Sequence, residues 1–152
     1  MLGKLLGKKT SDSRFPAERI TLAEGERDGL PAIAMINLAY REYAYRAEYP
    51  WHVQVQITLN DAYDSGFPTH SEAEVLNALE DRMEEELGTA GHVHFIARQS
   101  WNRIRFLDYY VGNGEAAERV LAAMAGTSPR EFTTKVERDD SWANCAGFFR
   151  AL

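Results

Sequence analysis

The histidines of this chain are candidate metal ligands. His92 and His94 lie two residues apart in a segment of strand character, so both imidazoles project from one face, and His52 falls on the polar face of another strand. A metal site also needs a third and a fourth ligand, and the sequence has no cysteine pair and no carboxylate at a diagnostic spacing. We therefore predict surface histidines, no metal site and no cofactor.

One cysteine and three aspartates are the candidates for catalysis. No histidine follows Cys145, and the nearest preceding one is His94, so a Cys–His nucleophile is not supported, although the spacing does not exclude it. Asp108, Asp139 and Asp140 would form a carboxylate pair only if strand ends meet, and acids at strand ends more often cap an element. We predict no catalytic residue, and we keep as an alternative an enzyme that uses strand-end carboxylates or histidines.

The elements that position these side chains follow from periodicity. Apolar and polar residues alternate from Trp51 to Leu59 as in a half-buried strand, and apolar residues recur at helical spacing between Ser71 and Gly88. Ser71 and Glu74 predict a capping box for this helix, and Asn113 predicts the N-cap of a second helix. The remaining predicted elements are strands at His92–Gln99, Ile104–Val111 and Phe132–Glu137, with a tight turn at Trp101-Asn102-Arg103.

This order of elements predicts the fold class. Strand, helix, strand, strand, helix, strand with right-handed crossovers gives an α+β, ferredoxin-like β-α-β-β-α-β antiparallel sheet with both helices on one face. The apolar run from Pro31 to Leu38 predicts one added N-terminal strand, while the tyrosine-rich residues 39–50 fit either a helical turn or a strand. A single core is expected to contain Val53, Val55, Ile57, Leu79, Met83, Val93, Phe95, Val120 and Leu121.

Composition separates the start of the chain from the rest. Residues 1–28 are polar and contain glycine, with a basic start, so we predict a flexible segment there and a single domain over 29–152. No stretch has the apolar centre of a secretory signal, and we predict no membrane span. The single cysteine excludes an intramolecular disulfide framework, so a cytoplasmic location is predicted.

The net charge of −6 is concentrated on the first predicted helix. Between Ser71 and Gly88 there are seven acids and one base, so the remaining acids and bases of the chain balance each other. Such a run is often a solvated face that aids solubility, but it also suits docking of a basic protein partner, whose encounter it would accelerate. The residues predicted to contact a partner are Glu80, Asp81, Glu84, Glu85, Trp101 and Arg105.

Single-stranded RNA binding on the open sheet face is a second alternative. Arg98, Arg103 and Arg105 favour it, but the basic-Gly-aromatic signature of the RNA recognition module is absent and the chain is acidic. Nucleic acid is therefore an unlikely partner. The three tryptophans stand at element ends, where an indole commonly covers a core edge and donates its N–H to a backbone carbonyl, so Trp142 is expected to be structural.

Several short motifs together resemble a known family. In chain order they are Pro50-Trp51-x-Val53-x-Val55-x-Ile57, Gly66-Phe67-Pro68, Glu72 with Leu76, Leu79-Glu80-Asp81, Trp101-Asn102 with Arg105-Phe106, Tyr109-Tyr110-Val111, and Asp139 with Trp142. From about Leu30 to the C-terminus this pattern looks like the bacterial domain-of-unknown-function family 695. Members tend to carry a tyrosine shortly after the Asp-x-x-Trp element, where this chain has Cys145 and Phe148 instead.

The resemblance carries implications for function by analogy. The family is similar in fold to regulator of ribonuclease activity B, a small acidic protein inhibitor of ribonuclease E. This implies a regulatory protein that binds another protein, with no catalysis to carry over. Together with the acidic helix, it predicts a non-catalytic protein-binding or regulatory module whose partner and oligomeric state are unknown.

Overall fold

The computed structural model describes residues 13–150 of the chain. The strands and helices, numbered in chain order, are β1 Ile20–Arg27, β2 Leu30–Asn37, β3 Trp51–Thr58, α1 His70–Gly88, β4 Val93–Trp101, β5 Ile104–Val111, α2 Gly114–Ala125, β6 Phe132–Arg138 and α3 Ala146–Arg150. Short 3-10 turns occupy Leu38–Tyr40, Arg46–Glu48 and Ala143–Cys145. Within these described residues, no helix has both the length and the apolar character that a membrane crossing requires.

All six strands form one antiparallel sheet, in the order β1-β2-β4-β5-β3-β6. The hairpin of β4 and β5 turns at Asn102 and Arg103, whose φ angles of 49° and 64° are those of a two-residue turn that matches strand twist. The predicted α+β class, the hairpin and the element order from β3 to β6 are confirmed, as is the strand predicted between Pro31 and Leu38.

Helices α1 and α2 pack on one face of the sheet and enclose the main core. Apolar residues of the inner strands meet the inward stripes of both helices there, with Leu76 and Met83 of α1 fully buried. Asn113 is the N-cap of α2, as predicted, because its side chain accepts from the Ala116 N–H at 3.0 Å. The predicted core is confirmed, since this cluster contains Val53, Val55, Ile57, Leu79, Met83, Phe95 and Leu121, with Val93 and Val120 partly buried against it.

The capping box predicted for α1 is wrong by two residues. The N-cap is Thr69, whose hydroxyl accepts from the Glu72 N–H, and not Ser71. The same hydroxyl-x-x-Glu spacing occurs at Thr69 and Glu72, directly after Pro68. The Glu72 carboxylate bonds outside the helix instead, accepting from the Asn60 N–H at 2.7 Å.

A second, smaller layer covers the opposite face of the sheet. Residues 38–49 and the C-terminal segment 142–149 pack aromatic side chains onto that face. Between Phe95 and Ala97 the pairing of β4 with β5 shifts register, and both Ile96 and Ala97 join this second layer. The solvated face predicted for His52 and His94 is therefore wrong, because the second layer buries both.

Strand β1 lies inside the segment predicted to be flexible. It pairs with β2 from Ile20↔Asn37 to Arg27↔Leu30, so the sheet gains two N-terminal strands instead of one. Its sequence, with Gly25 between Glu24 and Glu26, has poor intrinsic strand preference and becomes a strand through pairing at the sheet edge. Of the basic residues at the start of the chain, Lys4, Lys8 and Lys9 lie outside the described residues, whereas Arg14 pairs with Glu48.

Candidate functional site

The sheet face opposite α1 and α2 holds a buried polar cluster of His52, Asp108 and Cys145, named here the His52 cluster. β3 and β5 supply the histidine and the aspartate as diagonal neighbours, because Gln54 pairs with Asp108 and His52 with Tyr110. The 3-10 turn Ala143–Cys145 brings Cys145 over them. His52 Nε2 lies 2.7 Å from Asp108 Oδ1 and 3.6 Å from Cys145 Sγ. The three residues are 6%, 2% and 1% exposed.

A second set of hydrogen bonds holds the C-terminal segment against this cluster. Tyr110 donates its hydroxyl to Asp139 Oδ2 at 2.6 Å, and its ring stacks on His52 with centroids 5.1 Å apart. The Asp139 carboxylate also accepts from the Ala143 and Asn144 N–H groups, which fixes the turn that carries Cys145. Burial raises the pKa of Asp139, but these hydrogen bonds outweigh it and leave the pKa below its usual value.

The other ring nitrogen of His52 faces an exposed side chain. Asn144 Nδ2 lies 3.1 Å from His52 Nδ1 and 2.6 Å from Glu137 Oε1. An amide N–H donated to Nδ1 requires an unprotonated Nδ1, so the ring proton of a neutral His52 is on Nε2 and points to Asp108. Asn144 therefore lies between the buried cluster and solvent.

The His52 cluster does not have the geometry of a nucleophilic triad. In a triad the acid and the nucleophile bond opposite ring nitrogens, whereas Asp108 and Cys145 both approach Nε2. Burial raises the pKa of the Cys145 thiol, and the charge of Asp108 raises it further, so the nucleophilic thiolate is disfavoured. Cys145 is thus not arranged as a catalytic nucleophile.

His92 and His94 share one face, but only His94 is buried. The Phe15 ring contacts both imidazoles, at centroid distances of 4.4 Å from His92 and 6.0 Å from His94. The Tyr40 hydroxyl lies 2.7 Å from His94 Nδ1, and the Tyr49 ring stands edge-on at 4.1 Å. Burial, with a smaller contribution from the nearby His92, lowers the pKa of His94 to about 4. Neither histidine belongs to the His52 cluster.

Two acids of the predicted docking helix face inward. Glu80 is 7% exposed and accepts from Arg98 Nε and Nη2 at 2.8 and 2.7 Å, while Arg105 Nη1 lies 3.6 Å away. Glu72 is paired in the same way with Arg130. Glu80 and Arg105, both predicted to contact a partner, are thus buried in an internal ion pair, an arrangement that favours a structural role for them.

The exposed acids of α1 divide into two flanks. Arg82 and Glu86 line a cavity of about 380 Å³ together with residues of α2, so they face that helix. Asp81 and Glu84 lie on the other flank, because Glu80 on the same side meets Arg98 of β4. Partial burial raises the pKa of Glu84, and the charges of Glu80, Glu18 and Asp81 raise it further. Glu85 is exposed.

Next to the acidic flank, the helix-side face of β1 and β2 extends past the helices. Leu22 pairs with Met35, which pairs with Arg98, so all three side chains lie on the side of the sheet that carries α1. Ile33, two residues from Met35 on the same strand, shares that face. Leu22 is 66% exposed. We name Leu22, Ile33 and Met35 the β1–β2 shelf.

The open sheet face on which single-stranded RNA binding was considered is covered in the part of the chain that the structure describes. Arg98 and Arg105 lie on the helix side and pair with Glu80, and the opposite face is covered by the second layer. Trp101 is half-buried and donates its indole N–H to the Arg27 carbonyl at 2.9 Å, while the Arg27 guanidinium stacks over its ring. It is the core-edge tryptophan that the sequence predicts.

The His52 cluster was missed in the sequence analysis for a physical reason. The alternation of His52 with apolar neighbours is the usual pattern of a solvated strand face, and Cys145 is 93 residues away along the chain. One feature of the sequence did point to a covered face. Phe148 and Phe149 follow β6 without belonging to a predicted element, and such apolar side chains need a surface to pack on, which the sheet face opposite α1 and α2 provides.

The fold and these sites define a small α+β protein with an antiparallel six-stranded sheet covered on both faces. Residues 21–149 match the model of the Family of unknown function (DUF695), and the chain belongs to this family. Comparison with curated proteins and with solved structures finds no match.

Proposed function

We propose that the protein is a protein-binding module whose groove accepts a basic, amphipathic segment of a partner protein. The floor of the groove is the β1–β2 shelf and its wall is the flank of α1 with Asp81 and Glu84. The observation that carries this proposal is the 66% exposure of Leu22 on the sheet face that carries α1 and its exposed acids. A large apolar side chain beside a row of acids matches a segment with one apolar and one basic face.

The inner part of the sheet supports a related proposal about fold. We propose that β3 to β6 with α1 and α2 form a ferredoxin-like unit, extended by β1 and β2. The strand order β4-β5-β3-β6 and the two helices on one face are consistent with it. In this arrangement the helices cover the inner strands and leave the shelf as the exposed extension.

Charge favours a basic partner over a second copy of the chain. Two copies joined through this groove would bring Glu18, Asp81 and Glu84 of one copy close to the same acids of the other. The chain carries a formal net charge of −6, so this repulsion would act at long range as well. A basic partner gains from the same charges, both in rate of encounter and in correct orientation.

Surface variants test the proposal. Immobilised parent protein would capture partners from an extract of the native host, identified by mass spectrometry, and the captured protein would then be measured with purified variants. Asp81→Lys with Glu84→Lys is expected to weaken binding by up to about 30-fold, since exposed charge pairs contribute about 0 to 1 kcal/mol each. Leu22→Ser should weaken it without changing its salt dependence.

A matched control lies on the other flank of α1. Glu86→Lys makes the same kind of charge change on the side that faces α2, and it should leave the affinity within about 2-fold. Glu80 is excluded from the set, because its reversal would break a buried ion pair and unfold the protein. Equal capture by the parent, the double reversal and Leu22→Ser would contradict the proposal.

A further inference from the structure

Three different ligand types converge on one point in the His52 cluster. The imidazole nitrogen, carboxylate oxygen and sulfur of His52, Asp108 and Cys145 all lie within 4.8 Å of one another. They come from β3, β5 and the Ala143–Cys145 turn, and hydrogen bonds from Tyr110 and Asp139 fix the turn. A single ring nitrogen facing both a carboxylate and a thiol is unsuited to a triad but is the arrangement of a coordination centre.

The distances agree with the size of a tetrahedral site. Zinc binds histidine nitrogen at about 2.0 to 2.1 Å and thiolate sulfur at about 2.3 Å, which places the two ligand atoms about 3.5 Å apart. His52 Nε2 and Cys145 Sγ are 3.6 Å apart. His52 Nε2 and Asp108 Oδ1, now 2.7 Å apart and hydrogen-bonded, would separate to about 3.3 Å. The His52–Cys145 spacing therefore already fits, the His52–Asp108 pair needs a sub-ångström opening, and the carboxylate oxygen and the sulfur lie within 4.8 Å of each other.

We propose that His52, Asp108 and Cys145 form a binding site for a borderline-soft divalent cation of the zinc type. Sulfur, imidazole and carboxylate together select such an ion over magnesium or calcium, which prefer all-oxygen sites. Thiolate and carboxylate neutralise its two positive charges, so the loaded site is electrically neutral and compatible with burial. This site is independent of the groove proposed for the partner protein.

Electrostatics of the metal-free cluster are consistent with this assignment. The Asp108 carboxylate and the Cys145 thiol are both buried, and the carboxylate charge contributes to holding the thiol protonated. A dication between them reverses that repulsion and stabilises the thiolate, because coordination removes the proton from a thiol. Tyr110 stacks on His52 and anchors Asp139, so it positions two sides of the site.

Binding of the cation changes the protonation of the His52 cluster. The Cys145 thiol releases its proton to solvent, Asp108 binds as a carboxylate, and the ring proton of His52 moves from Nε2 to Nδ1. The Nδ1–H group then donates a hydrogen bond to Asn144 Oδ1, which requires a half-turn of the Asn144 amide. Asn144 is exposed, so this rotation is open to it, and the same side chain marks the route by which the ion enters. A water is the expected fourth ligand.

Cobalt substitution tests this inference directly. Reduced, metal-free protein titrated with Co²⁺ should develop a thiolate-to-cobalt charge-transfer band in the near ultraviolet together with tetrahedral visible bands. The chain contains a single cysteine, so such a band identifies Cys145 without any variant. Added Zn²⁺ should bleach the spectrum and raise the Tm of the protein, because a ligand that binds only the folded state stabilises it.

Variants then assign the remaining ligands. Cys145→Ser should abolish the charge-transfer band, and His52→Gln and Asp108→Asn should each weaken Co²⁺ binding more than about 100-fold, since even residues outside the ligand set change affinity about 10- to 100-fold. His70→Gln is the control, because that imidazole is exposed and lies only beside Glu74. Circular dichroism would establish that each variant is folded.

Two outcomes would overturn the inference. The first is the absence of a charge-transfer band when the folded parent protein is titrated with Co²⁺. The second is a band or an affinity that survives in folded Cys145→Ser, or that is lost in His70→Gln instead, which would place the ion elsewhere on the chain.

Discussion

At the scale of single residues, His94 is a deeply buried titratable side chain of the second layer. It is 1% exposed and surrounded by the rings of Tyr40, Tyr43, Tyr49 and Trp142. Its Nδ1 meets the Tyr40 hydroxyl, but among the described residues Nε2 has no hydrogen-bond partner. A neutral imidazole is compatible with these surroundings, whereas an imidazolium would be a buried charge with no acid beside it.

This environment predicts a loss of stability on acidification. The pKa of His94 is lowered to about 4 in the folded chain, from 6.5 in the unfolded chain. Between these values the unfolded chain binds a proton that the folded chain does not, so the free energy of unfolding falls as the pH drops from about 6.5 towards 4. Urea unfolding at a series of pH values from 7.5 to 4.5 measures this fall in the free energy of unfolding.

The contribution of His94 is isolated by comparing how steeply the free energy of unfolding falls with pH in the parent and in variants. His94→Gln is expected to have lower stability at pH 7.5 but a shallower decline on acidification, because it has no group to protonate there. His70→Gln, which changes an exposed imidazole, should keep the decline of the parent. If the parent and His94→Gln decline in parallel, His94 titrates normally and the described burial does not govern its protonation.

At the scale of elements, the C-terminal segment after β6 holds the second layer together through Trp142. Its ring stacks on Tyr110 with centroids 4.1 Å apart, and its indole N–H donates to the Tyr49 carbonyl at 2.9 Å. Trp142 has a φ of 60°, a left-handed conformation that costs roughly 1 to 2 kcal/mol for a side chain of this kind. The packing and the hydrogen bond of the Trp142 side chain must therefore stabilise the fold by more than this cost.

Trp142→Ala is therefore expected to destabilise the protein by about 3 to 5 kcal/mol, the usual cost of truncating a buried tryptophan. Trp142→Phe, which keeps an aromatic ring but not the indole N–H, should cost less. The urea midpoint measures both, with Ser141→Ala as the neighbouring exposed control. Parent-like stability of Trp142→Ala, together with loss of a captured partner, would make Trp142 an interface residue instead.

Elements with strong internal patterns were predictable, and those created by long-range pairing were not. The alternation in β3 and the helical stripe of α1 identify themselves locally, and so does the turn at Asn102 and Arg103. β1 carries glycine and glutamates in place of a clear pattern, and only its partner β2 makes it a strand. The burial of His52 likewise depends on a segment far along the chain, so no local pattern reports it.

At the scale of the whole molecule, β1 is an edge strand that covers the edge of β2. Trp101 donates to the Arg27 carbonyl, and the Arg19 N–H donates to Asn37 Oδ1. Without β1, the apolar strand β2 would be an exposed edge, which is a template for aggregation. β1 itself presents Glu24, Glu26 and Arg27, charges that discourage pairing with another sheet.

Removal of residues 1–28 is expected to give a less stable protein that aggregates on heating. The urea midpoint and size-exclusion chromatography compare residues 29–152 with the full chain. A synthetic peptide of residues 13–28 added in trans should restore the midpoint, and a scrambled peptide of the same composition should not. If residues 29–152 match the full chain in both measurements, the boundary predicted at residue 28 holds and β1 contributes nothing to stability.

The position of Trp142 and Cys145 in the chain also affects how the protein is made. During synthesis all six strands leave the ribosome before these two residues, so the sheet and its helix layer can assemble while the C-terminal part of the second layer is still missing. Tyr110 lacks the stacked ring of Trp142 for that interval, although it is fully buried in the finished fold. The nascent chain thus presents an apolar surface to chaperones that the completed protein lacks.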